Sequence, residues 1–312
     1  MKSLAHSGFS LIELVISMAI AAIVGSILLS AMLSFQSGAL AEINRDDLHK
    51  RAGHLLRFAV DDLRDTALLT GAGPRTAAGS ALTLSHDSLA GDPAETINAA
   101  LLPESGGATG HDALTFVKAV SFTPAIRLAE TAGAGATCLV LDRRPNQAPG
   151  SSREIIPAPE AINHVVLDNQ RGCYQVLSTG QSLLLTTGLL RQAPAGSEVH
   201  GVRAHRLFLE PFEGSNRFYR DDFTSREILD EGIDGMQLEY LMSNGVLVDD
   251  PVPPADVRGI RISLLVRSRK PDPDFLDRSS YRLGDRSYGP YFDHFRRVLA
   301  SELVEVKNVA LP

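Results

Sequence analysis

The chain has 312 residues, of which 44% are hydrophobic and 21% charged, with a formal net charge of -7 and a pI of about 5.7. That balance is ordinary for a globular protein and argues against a general nucleic-acid binder, whose surface is usually basic. The two cysteines, Cys138 and Cys173, stand 35 positions apart with no CxxC or Cys/His cluster, so no zinc site is expected. In an oxidising compartment they offer one disulfide; two buried free thiols are the equal alternative.

The first eight residues, Met1 to Gly8, are polar with one fixed charge, Lys2. From Leu14 to Ala41 no charged residue occurs. As a helix this run would span ~42 Å, where ~20 residues suffice to cross a hydrocarbon core. A membrane span is expected, with Lys2 on the cytoplasmic side. Glu13 is the odd residue, because an acid inside an apolar helix costs on the order of 3 kcal/mol and needs a partner. A cut between Gly8 and Phe9 would create an amine four residues before Glu13, one helical turn away in the same chain or beside it in a neighbour. Against this stands an ordinary secretory signal peptide cleaved at Ala39-Leu40-Ala41, although the apolar run exceeds the usual signal core.

The motif Gly8-Phe9-Ser10-Leu11-Ile12-Glu13-Leu14 resembles the prepilin signal of type IV pilins and type II secretion pseudopilins. The resemblance implies cleavage after Gly8 by a prepilin peptidase, N-methylation of Phe9, and pairing of Glu13 with a neighbouring N-terminal amine during filament assembly. The chain departs from many major pilins in having no proline between Phe9 and Pro74.

Beyond Ala41 the sequence turns amphipathic. Leu48, Ala52, Leu55, Leu56, Ala59, Leu63 and Ala67 recur at steps of three and four, with Arg57, Asp61, Asp62, Arg64 and Asp65 expected on the opposite face. The helix is expected to run to about Leu69, where Gly71, Gly73 and Pro74 stop it. The domains are therefore a leader (1–8), a transmembrane stem (9–41), its amphipathic continuation (42–70) and a β-rich head (71–312).

The stretch from Gly71 to Gly110, rich in Gly, Ala, Ser, Thr and Pro, reads as irregular connection with a short strand near Ala81–Ser85. Strand signals then recur at Ala113–Phe122, Thr137–Asp142, His164–Asp168, Cys173–Ser178, Ser182–Thr187, Val199–Leu209, Met236–Ser243, Arg258–Ser268 and Leu303–Val309. Asn244-Gly245 signals a turn. Helix and strand do not alternate, so the expected class is α+β, pilin-like: one long N-terminal helix and a mostly antiparallel sheet. Gly232 to Tyr240, Val257 to Ser268, Arg296-Arg297-Val298 and Glu302 to Asn308 are similar to the C-terminal region of PilW-like minor pilins. That family implies a low-copy subunit that helps initiate pilus assembly and supports motility or adhesion. Its partners would be other minor and major pilins, the prepilin peptidase, the inner-membrane assembly machinery and the lipid bilayer; the J-type pseudopilin of type II secretion is the near alternative.

Phosphate-binding loops, H-E-x-x-H and G-x-S-x-G are absent from the sequence, and no enzyme activity or cofactor is expected. His111-Asp112 and His164 with Asp168 read as turn or surface residues. Asp272, Asp274 and Asp277 form a loose carboxylate cluster without the spacing or glycine of an EF-hand; it reads as a solvated loop, with a calcium site the weaker alternative. Arg267, Arg269 and Lys270 read as strand-end charges. A membrane-tethered binding protein and a secreted enzyme are the competing classes.

Overall fold

The computed structural model describes residues 11–66, 82–84, 95–97, 101–106, 110–142, 164–168, 173–178, 182–222, 225–251 and 256–306. One helix, α1 (Leu11–Arg64), runs without a break through both the apolar and the amphipathic segment. At 1.5 Å per residue its 54 residues reach ~81 Å. It ends at Arg64, short of Leu69, and the glycines and proline expected to stop it lie outside the described residues.

The head is antiparallel throughout its described strand pairs, which bears out the expected combination of long helix and sheet. Its strands in chain order begin with β1 (Leu82–Leu84), β2 (Glu95–Ile97), β3 (Leu101–Glu104), β4 (Ala113–Arg127), β5 (Cys138–Val140), β6 (His164–Leu167), β7 (Tyr174–Ser178) and β8 (Ser182–Leu185). They continue with β9 (Glu198–Phe212), β10 (Ser215–Asp221), β11 (Arg226–Met242), β12 (Leu247–Val248), β13 (Val257–Arg267), β14 (Tyr281–Leu283), β15 (Arg286–Tyr288) and β16 (Arg297–Glu305). Among the described residues, one sheet of 12 strands runs β16-β13-β11-β10-β9-β6-β7-β8-β5, with β4 also on β9, β3 on β4 and β12 on β11. β9 organises it. One edge of β9 serves β6 along 199–201 and β10 along 206–212, while the other edge carries β4. The sheet therefore forks. One branch supports the helix; the other closes a separate core around Tyr174, Leu139 and Leu183.

The helix sits on the first branch as its stripe requires. Leu48, Ala52, Leu55, Leu56, Ala59, Val60 and Leu63 are buried against Leu238, Tyr240, Ile260, Ile262, Leu264 and Val304. Each large aliphatic side chain contributes ~1.5–3 kcal/mol by leaving water. Two ion pairs flank the stripe. Arg51 donates from Nε to Asp230 at 2.9 Å and from Nη2 to the Glu231 carbonyl at 2.7 Å. Asp62 meets Lys118 of β4 at 2.6 Å and Arg220 of β10 at 3.1 Å. Asp62 is thus buried, not on the solvent face expected from the helical wheel, because the two cations of the sheet reach up to it.

The other face of the same branch is covered by the segment between β13 and β16. Leu283 of the β14–β15 hairpin is buried, and Tyr288 accepts a hydrogen bond from Gln237 Nε2 at 3.0 Å. A Cβ at Gly235 would lie 2.8 Å from the Tyr288 ring, so this strand position must be glycine for the hairpin to close down. β13 is consequently buried on both faces from Ile262 to Val266, which explains why its partial alternation of polar and apolar residues gives way there to Leu264-Leu265-Val266.

The segment is tied down by Arg297, whose side chain is 1% exposed. Its guanidinium binds Asp234 at 2.6 Å, Asp277 at 2.9 Å and Asp293 at 2.7 Å, and lies 3.5 Å from the Tyr291 ring centroid. Burial raises the Asp234 carboxyl while Arg297 opposes that rise; the hydrogen bonds from Arg297 hold Asp293 below its usual range.

Two stability predictions follow from this packing. Arg297→Ala leaves three carboxylates around an empty position and is expected to cost ~3–5 kcal/mol in urea denaturation of the detergent-solubilised chain. The exposed Arg269→Ala should leave the midpoint unchanged. Separately, burial pushes His164 and His205 down to about 4 from the usual 6.5, with Lys118 and Arg220 adding to the effect at His205 against Asp62 and Asp222. The unfolded chain binds protons that the folded chain refuses between those values. The stability that these two histidines contribute should be full above pH 6.5 and be lost as pH falls through about 4. His205→Gln should flatten the midpoint-versus-pH curve over that window.

Candidate functional site

The candidate functional element is α1, whose two halves face different surroundings. Every side chain from Leu11 to Gln36 is exposed, and this stretch of 26 residues is long and apolar enough to cross a membrane. Leu11 is 81% and Phe35 85% exposed, whereas Ala59 and Leu63 of the same helix are at 0%. Ser17 and Ser26 turn their hydroxyls back to the carbonyls of Leu14 and Ile23 at 2.9 and 2.8 Å, so neither presents an unmet donor to an apolar surrounding. Glu13 lies in the first turn of the helix, where its negative charge also suits the positive end of the helix dipole. Gly8 and Phe9 lie outside the described residues.

The other residues singled out in the sequence separate widely. Cys138 and Cys173 are free, the first exposed and the second buried, so the disulfide is not formed. Register explains why. Cys138 pairs with Leu184, which pairs across β8 with Ser178, five residues from Cys173. Two strand spacings and five residues of strand separate the thiols by ~10 Å in one direction and ~16 Å in the other, far beyond disulfide reach. Burial also pushes the Cys173 thiol up to about 12.

The calcium cluster dissolves as well. Asp277 is fully buried and accepts from Arg297 and from the Tyr281 hydroxyl at 3.0 Å. Asp272 is taken by Arg296 at 2.7 Å, and Asp274 is exposed. The Asp272 and Asp277 carboxylates anchor the covering segment through arginines. Arg267 is likewise structural: it lies over Phe295 at 4.6 Å and donates to the Gly214 carbonyl at 3.0 Å. Asp112 was expected at the surface but is buried, accepting from the backbone N–H groups of Gly106 and Leu238 at 3.2 and 2.9 Å. Asp168 pairs with His200 at 2.7 Å, a partner 32 positions away that no local spacing announced.

Among known proteins, the model of the prokaryotic N-terminal methylation motif matches residues 4–29. No curated protein matches, and neither does any solved structure. The matched stretch covers the sequence resembling a prepilin signal and the first part of the exposed helix, and it indicates a type IV pilin-like or pseudopilin-type protein. Such a motif in general implies prepilin peptidase processing and assembly with other pilins, and it points to a structural subunit rather than an enzyme.

Proposed function

We propose that this chain is a minor pilin of a type IV pilus, held in the bacterial inner membrane by the exposed half of α1 with its head in the periplasm, and built at low copy into the filament whose assembly it helps to initiate. The leader is cut between Gly8 and Phe9, Phe9 is N-methylated, and the mature amine stays cationic. Glu13 then meets the amine of a neighbouring subunit as the apolar stems pack side by side. In that setting the charge pair removes the cost of an acid in hydrocarbon, and its one-turn offset fixes how far one stem is displaced along the next.

The observation that carries this reading is the junction within a single helix. A fully exposed apolar half continues, without a break, into a half locked in the head by a buried stripe and two ion pairs. A cleaved secretory signal would have no need of that continuity. The described parts of the stretches resembling PilW-like minor pilins fall largely on β11, β13 and β16, adjacent strands that carry the seat of the helix, and the J-type pseudopilin, whose head is usually smaller, is the alternative.

Glu13→Val is expected to leave the amount of protein in the membrane fraction unchanged and to reduce surface pili sharply when it replaces the native gene. Normal pilus numbers in that strain would overturn the proposal.

A further inference from the structure

A second cluster, remote from the stem, lies where the sheet forks. Asp168 follows β6 directly, and Glu198 and His200 stand two residues apart on β9, so that both project from one face. Pairing of Val166 with His200 and of Leu167 with Val199 brings Asp168 opposite Glu198. Ligand atoms of all three side chains lie within 4.8 Å of one another. His200 is 7% exposed and is held from both sides: Nδ1 is 3.1 Å from the Ser121 hydroxyl and Nε2 is 2.7 Å from Asp168 Oδ1.

We propose that Asp168, Glu198 and His200 form a binding site for a divalent transition-metal ion, with zinc the best match. One imidazole with two carboxylates suits zinc, whereas calcium and magnesium favour oxygen alone. Ser121 supplies a supporting contact: its hydroxyl, 3.1 Å from Nδ1, can accept Nδ1–H when a metal takes the place of the proton that Nε2 shares with Asp168 Oδ1. The carboxylate side is open, with the Asp168 side chain 49% and that of Glu198 29% exposed, so an ion can enter from solvent. Three protein ligands leave a fourth position for water or for a group from another molecule.

Charge around the cluster favours a cation. Arg127 binds Glu198 through Oε1 at 2.5 Å, and Glu198, Asp168 and Asp142 all bear on that guanidinium. Three carboxylates thus face one fixed positive charge. Glu198 Oε2 is not engaged by that contact, and a metal at Asp168 and His200 would meet it there. Arg127 is then a competitor of the ion, not a ligand. The site was invisible in the sequence because its residues come from two strands 30 positions apart, where only the β6–β9 register unites them.

The test uses the full chain in detergent, stripped with chelator and titrated with Zn2+ alone, with bound metal counted by elemental analysis and affinity read by calorimetry. One equivalent is expected to bind tightly, and Co2+ in its place should give the visible absorption of a tetrahedral site. Asp168→Asn, an isosteric change at an exposed side chain, should weaken binding roughly tenfold or more, Ser121→Ala should weaken it by a smaller factor, and Arg127→Gln should tighten it. Absence of stoichiometric uptake, or uptake that Asp168→Asn leaves unaltered, would overturn the site. Neither result bears on the filament reading, which Glu13→Val tests by itself.

Discussion

The structure depends on how one helix is gripped along its second half. α1 must satisfy two surroundings in succession, and only the amphipathic part has protein to rest on. Burial of Leu48, Leu55, Leu56, Val60 and Leu63 supplies gross transfer energy on the order of 10 kcal/mol. Apolar contact alone tolerates sliding and rolling. Arg51 and Asp62 remove that freedom, because each must meet a defined partner on a different part of the sheet. A buried charge deprived of its partner is costly, so any displacement of the helix that separates these pairs is penalised steeply.

The grip in turn requires a stiff sheet, and the covering segment behind β11 and β13 provides it. Helix, sheet and covering segment form three layers, with β13 in the middle, apolar toward the helix at Ile260, Ile262 and Leu264 and buried on the far side at Ser263 and Leu265. Arg297 joins the layers by reaching from β16 to Asp234 of β11 and to Asp277 and Asp293 of the covering segment. The aspartates of that segment therefore have a mechanical task, and their density in the sequence reflects the charge needed around one buried guanidinium. The same principle holds at the helix seat, where acid and base come from distant parts of the chain.

Much of this was legible from residues alone. The stripe from Leu48 to Leu63 announced the helix and its buried face, and β5, β6, β7, β8 and β13 were located to within a few residues, whereas β4, β11 and β16 run five to ten residues beyond the expected ends. What escaped were elements whose pattern is set by tertiary contacts. β10, reading Ser-Asn-Arg-Phe-Tyr-Arg-Asp, is too polar to look like an inner strand, yet it lies between β9 and β11. The turn before it uses Glu213 and Gly214, both with positive φ, where asparagine or aspartate usually fills the first position. The amino-terminal half of β11, from Arg226 to Asp234, is likewise rich in charge because it pairs with β10 and receives Arg51. The stem motif could be read locally, whereas the Asp168, Glu198 and His200 cluster, the Arg297 network and the separation of the two cysteines required register.

Arg51 and Asp62 are 11 residues apart, which on an α-helix is close to three full turns, so the two grips fall within about 20° of the same direction. With no proline in α1 to swivel about, the bearing of the head around the stem is inherited all the way to Leu11. Whatever sets the azimuth of the apolar end within a bundle of such stems thereby dictates which side of the head looks outward and which looks toward its companions. In the proposed filament the compass heading of the globular part is decided among the packed apolar stems, some tens of ångströms below it.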